Sequence, residues 1–138
     1  MKTSTSARVT STSVVATILC ALLASGVGAV CPSGNIGVGD VIEPFFILGA
    51  RAERGVIVGN DCSIIDGKSG INNASICGTY VDGSTVTCSD GTSTPISVHT
   101  LDGQNWGNCV PSTETCTNEN GGTINGNITV RFCCTTEA

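Results

Sequence analysis

His99 is the one histidine in the chain, and Asp102 follows three residues later. With one of the many serines they could form a Ser-His-Asp relay, in which the imidazole takes the hydroxyl proton and the carboxylate orients the ring. No Gly-x-Ser-x-Gly frames a nucleophile, however, so a surface or packing role for His99 is the simpler reading. The eleven acids would allow a carboxylate pair for glycosidic cleavage, but most sit beside turn glycines and no pair stands out. GNIGVGD, Gly34 to Asp40, has the glycine content of a phosphate loop but lacks its lysine and following helix. The expectation is a protein that binds rather than catalyses, with no catalytic set, cofactor or metal.

Cysteine is the residue type with the clearest chemistry. Cys20 lies in an N-terminal apolar stretch; the other eight are Cys31, Cys62, Cys77, Cys88, Cys109, Cys116, Cys133 and Cys134. No Cys-x-x-Cys pair occurs and there is a single histidine, which argues against a zinc site. An even set in a small secreted chain reads as a disulfide framework, here of four bridges with the connectivity open. NITVRFCC, Asn127 to Cys134, ends in adjacent cysteines. Strand alternation puts Ile128, Val130, Phe132 and Cys134 on one face and Thr129, Arg131 and Cys133 on the other. The doublet therefore predicts two bridges leaving one strand end in opposite directions, a clamp on the C-terminus rather than a redox centre.

The positioning elements start after a leader. Lys2 and Arg8 precede the apolar run VVATILCALLA, Val14 to Ala24, and Val27 and Ala29 put small residues at −3 and −1 of a cut before Val30. Residues 1–29 are read as a signal peptide and 30–138 as a single secreted domain. VIEPFFILGA is too short to span a membrane and carries Glu43 and Pro44. After cleavage only Arg51, Arg54, Lys68 and Arg131 stand against eleven acids, a poor balance for binding nucleic acid or an anionic membrane. Arg51 to Arg54 also matches a minimal Arg-x-x-Arg processing site.

Short Val-, Ile- and Thr-rich runs at Gly55–Val58, Cys62–Asp66, Ile76–Val81, Ser84–Cys88 and Pro95–Thr100 read as strands, separated by Asp-Gly and Asn-Gly turn signals. YVDGSTVTC predicts a hairpin with Asp82-Gly83 at its tip. The expected fold is all-β or β-rich and disulfide-stapled, a sandwich or a small barrel or prism. EPFFILGARAERG is the one segment that could hold a helical turn. Few aromatics are available for a core, so the bridges carry much of the stability. Trp106, in the glycine-flanked stretch DGQNWGNC, either presents a ring to a sugar or protein partner or packs in the core. Asn73-Ala74-Ser75 and Asn127-Ile128-Thr129 are N-glycosylation acceptors.

In its signal segment, its eight mature cysteines and its Gly/Ser/Thr/Asn richness the chain resembles the small secreted cysteine-rich effectors of plant-colonising fungi. In outline it is most similar to the cysteine-rich core effector of smut fungi. That resemblance implies action in the host apoplast, promoting infection or suppressing defence; the expected partner is a host extracellular protein or glycan, and the expected state a monomer. INNASIC and INGNITVRFCC also look like the repeat ends of the vitelline membrane outer layer protein, a β-prism, which implies a carbohydrate-facing extracellular protein. The functional expectation is an apoplastic effector. The alternatives are a carbohydrate-binding or cell-wall structural protein and a small inhibitor or toxin.

Overall fold

The computed structural model describes residues 29–44, 51–70, 72–117 and 126–137. The leader before Ala29 and residues 45–50 of the segment expected to hold a helical turn lie outside the described residues, as does the Cys116 side chain.

The fold is all-β. Among the described residues nine strands run β1 (Ile36–Pro44), β2 (Arg51–Val58), β3 (Ile64–Gly67), β4 (Gly78–Thr79), β5 (Thr85–Cys88), β6 (Pro95–His99), β7 (Asn105–Pro111), β8 (Thr115–Thr117) and β9 (Asn127–Thr136). They form one antiparallel sheet in the order β3-β2-β1-β9-β7-β6-β5-β4, with β8 continuing the β7 edge of β9. The sheet curls into a half-barrel. The described ends of that segment are strand: Glu43–Pro44 closes β1 and Arg51 opens β2, with Glu43 and Ala52 paired across the ladder.

The continuous apolar run of β2 has its reason in the packing, since both sheet faces are buried there. Val56 and Val58 join Val30, Cys31, Val41, Cys62, Ile128, Val130 and Cys133 in an outer core. Ile57 points the other way. It packs with Ile36, Val38, Ile76, Tyr80, Val86, Val98, Trp106 and Cys134, a cluster fed by strands from across the sheet, which fills the concave side. Alternation along each strand feeds both clusters.

Strand β9 departs from simple alternation. Val38 pairs with Phe132 and Gly39 with Val130, which leaves Arg131 as an extra residue in a β-bulge. The bulge reverses the facing of the residues after it. Ile128, Val130 and Cys133 lie in the outer core, whereas Phe132 and Cys134 belong to the inner one. The expectation that Ile128, Val130, Phe132 and Cys134 share a face is thereby corrected. Arg131 folds over Asp40, which is 2% exposed, and forms an ion pair with it.

The adjacent cysteines do leave in two directions. Cys133 bonds Cys31 of the N-terminal segment, and Cys134 bonds Cys109 of β7. A second bulge makes room for the latter: Asn108 and Cys109 oppose Cys134 alone, and Asn108 takes φ +46°. The third bridge, Cys77–Cys88, ties the segment before β4 to the end of β5. Cys62 departs from the expected framework. It is a buried free thiol in the outer core, in the turn after β2, where its surroundings are aliphatic side chains and the Cys31–Cys133 bridge.

The two end strands meet along a seam of polar contacts. Val81 N–H donates to Gly67 O at 3.1 Å. The Asp66 carboxylate, at the end of β3, accepts the backbone N–H groups of Gly67 (2.8 Å), Asp82 (3.1 Å) and Ser84 (3.0 Å). The Lys68 ammonium donates to Cys77 O and stands 5.2 Å from the Tyr80 ring centroid. Tyr80 in turn donates to Ile76 O at 2.8 Å. The seam thus substitutes two side chains for the ladder that a closed barrel would have.

Candidate functional site

Two turns lie at the same end of the sheet. One is Tyr80–Ser84, between β4 and β5, closed by Tyr80 N–H to Ser84 O at 2.9 Å. Gly83, at φ +105°, supplies the left-handed residue, so Asp82-Gly83 is the hairpin tip the sequence predicts. The other is Thr100–Gln104, between β6 and β7, closed by Thr100 N–H to Gln104 O at 3.0 Å, with Gly103 at φ +85°.

Ser84 joins them. Its side chain is fully buried, its N–H goes to Asp66 Oδ2, and its hydroxyl oxygen accepts Leu101 N–H at 3.1 Å. Thr100 is also buried. Its hydroxyl donates to Asp102 Oδ1 at 2.6 Å and accepts the Trp106 indole N–H at 3.4 Å. Buried side chains therefore fix the backbone of both turns from behind.

What the turns show to solvent is apolar and acidic. Val81 is 63% exposed and Leu101 54%. Asp82 and Asp102 stand beside them, and neither turn contains a cation. Burial raises the Asp66 pKa, but the backbone donors of Asp82, Ser84 and Gly67 outweigh it and hold the carboxyl below its ordinary range. The Thr100 hydroxyl likewise lowers Asp102, against a smaller desolvation effect. Burial and the Asp66 charge push the Tyr80 hydroxyl up. Two exposed apolar side chains thus stand beside two carboxylates, on turns whose backbone is held by buried hydrogen bonds.

Trp106 is in strand β7, not in a loop, and its ring is buried in the inner core with Cys134 and Cys109 beside it. Of the two readings of Trp106 the structure shows the packed one, not the presented ring, and its indole N–H there supports Thr100. His99 and Asp102 are not brought together as a relay. His99 Nδ1 is 2.8 Å from Asn105 Oδ1, and Asp102 is engaged by Thr100 and Gln104. Gly34 to Asp40 supplies most of strand β1 rather than a loop. Arg54 lies within β2, paired with Val41 and joined to Glu43 at 2.9 Å, which keeps the Arg-x-x-Arg bond out of a protease cleft in the folded chain. Asn127 is exposed at the start of β9, and Asn73 is half-buried with its amide donating to Ser69 O. Among the described residues no cluster of His, Cys, Asp and Glu is arranged to hold a metal ion.

A groove of about 580 Å³ lies elsewhere, between Ala29–Pro32 and Val110–Glu114, with Cys133 at its base. Comparison of the chain with protein-family models, curated proteins and solved structures finds no match.

The apolar and acidic turn surface was missed in sequence because its members are scattered. Val81 and Leu101 look like ordinary strand and turn residues. The only local signal was the pair of glycine turns, VDG and LDG, each with an apolar residue before the Asp.

Proposed function

We propose that the chain is a secreted effector that acts in the host apoplast by binding a host extracellular protein. The observation that carries this reading is the pair of turns tied together through Ser84, which holds Val81 and Leu101 exposed beside Asp82 and Asp102. Two exposed apolar side chains held at one end of a small acidic protein are the groups an interaction surface would use. Because Asp66, Ser84 and Thr100 hold both turns, little ordering entropy is lost on binding. The matching partner surface is an apolar residue surrounded by Lys or Arg. The three bridges are compatible with an oxidising extracellular space.

Deleting the gene in the producing organism tests this. Reduced host colonisation with normal growth in culture supports the effector reading, and normal colonisation refutes it. A carbohydrate or cell-wall role has its own observation. Thr85, His99 and Asn105 form one cross-strand row on the outside of β5, β6 and β7, and Thr87 and Ser97 pair in the same ladder. Such an array of hydroxyl, imidazole and amide groups suits a glycan, and wall defects in culture would favour it.

A further inference from the structure

Val30 is 3% exposed and packs with Cys31, Cys62 and Cys133 in the outer core. Its N–H donates to the backbone carbonyl of Asn60, in the turn after β2, at 3.3 Å. Ala29, one residue earlier, is exposed and lines the mouth of the groove. The boundary between solvent and core therefore falls at the Ala29–Val30 bond.

Asn60 carries a second acceptor. Its side-chain Oδ1 is buried and receives no hydrogen bond from the described residues. Buried polar atoms are normally paired, so an orphan asks for a donor. A peptide N–H at Val30 has one proton, and the Asn60 carbonyl already takes it. An ammonium has three.

We propose that the mature chain begins at Val30 and that its α-ammonium docks on Asn60, giving one N–H to the backbone carbonyl and a second to Oδ1. This rests on the secretion reading above. The step is hydrolysis: water adds across the Ala29–Val30 peptide bond, leaving the carboxylate on Ala29 and the amine, protonated at neutral pH, on Val30. Charge-assisted donors make stronger bonds than a peptide N–H does. The neighbouring Cys31–Cys133 bridge holds the new terminus against the turn, so cleavage, bridge and turn form one unit.

Two experiments test the proposal. The full-length chain is expressed in a eukaryotic secretion host, and the intact mass of the released, deglycosylated protein is determined. A start at Val30 is expected; a start elsewhere, or no release, overturns the proposal, and no release overturns secretion as well. Refolded oxidised chains starting at Val30 and at Ala29 are then compared, each with Asn60 and with Asn60→Ala. The Val30 start should melt several degrees higher, and the gap should narrow in Asn60→Ala, which removes Oδ1 and keeps the backbone carbonyl. Selective acetylation of the Val30 amine offers a second route to the same loss if Asn60→Ala does not fold. Equal melting of the Val30 and Ala29 chains, or no effect of acetylation, overturns the docking while leaving secretion intact.

Discussion

Replacing Asp66 with asparagine should open the seam of the half-barrel. Oδ1 of Asp66 accepts from Gly67 and Asp82, and Oδ2 accepts from the fully buried Ser84 N–H. Asparagine keeps one acceptor oxygen and turns an amide NH2 toward the third donor. Two bonds lose their charge, at about 1 kcal/mol each, and one buried N–H is stranded, at about 1–3 kcal/mol. The loss is thus roughly 3–5 kcal/mol, a large part of the 5–15 kcal/mol typical of a small domain. It corresponds to a fall in Tm on the order of 10–20 °C. Thermal and urea unfolding of the oxidised protein at pH 7 measures it. The acid limb gives an independent check. The folded carboxyl lies below its unfolded value of about 3.9, so its contribution is complete above that pH and disappears as pH falls through the folded value. Asp66→Asn should flatten the stability profile below about pH 4. A variant within about 0.5 kcal/mol of the parent, the range of an ordinary surface change, with the same acid slope, would refute the seam argument.

The other expected outcomes concern separate parts of the fold. The Cys31–Cys133, Cys109–Cys134 and Cys77–Cys88 bridges have sequence separations of 102, 25 and 11 residues. Loop-closure entropy gives them about 4.7, 3.5 and 2.8 kcal/mol, so paired Cys→Ala variants should destabilise in that order on urea unfolding. Trp106→Phe should keep the inner core but free Thr100, costing about 1–2 kcal/mol by the same assay, whereas Trp106→Ala should cost about 3–5 kcal/mol. In a eukaryotic secretion host, Asn127→Gln should remove one glycan step on a gel. Asn73→Gln should remove another.

How much of this was legible in sequence depended on whether the cause was local. The Cys133-Cys134 doublet predicted its own divergence because opposite facing of neighbours is a property of any strand. The Asp82-Gly83 tip was legible because a positive φ favours glycine. Strand β1 was not, since Gly37 and Gly39 weaken strand propensity. Their role is steric: a Cβ on Gly37 would meet Val58 and Val130 side chains at 2.8 and 2.9 Å, and one on Gly39 would strike Thr129 O. The Arg131 bulge left no mark in NITVRFCC, because arginine fits an alternating pattern and only pairing with Val38 and Gly39 reveals the extra residue. Asp66 read only as the last residue of a strand run, since its donors at Asp82 and Ser84 lie 16 and 18 residues away. Cys62 counted toward an even set, but cysteine number says nothing about which thiols meet.

The most direct test of the binding account is retention from host apoplastic fluid on oxidised protein of residues 30–138, compared with a Val81→Ser/Leu101→Ser variant. A reduced and alkylated control and an insoluble wall polysaccharide run beside it. The account predicts that the oxidised parent retains a defined soluble host protein, that the variant melts like the parent, and that it retains at least about tenfold less, as loss of an anchoring residue would cause. Equal retention by the folded variant, or retention on polysaccharide alone, would contradict it.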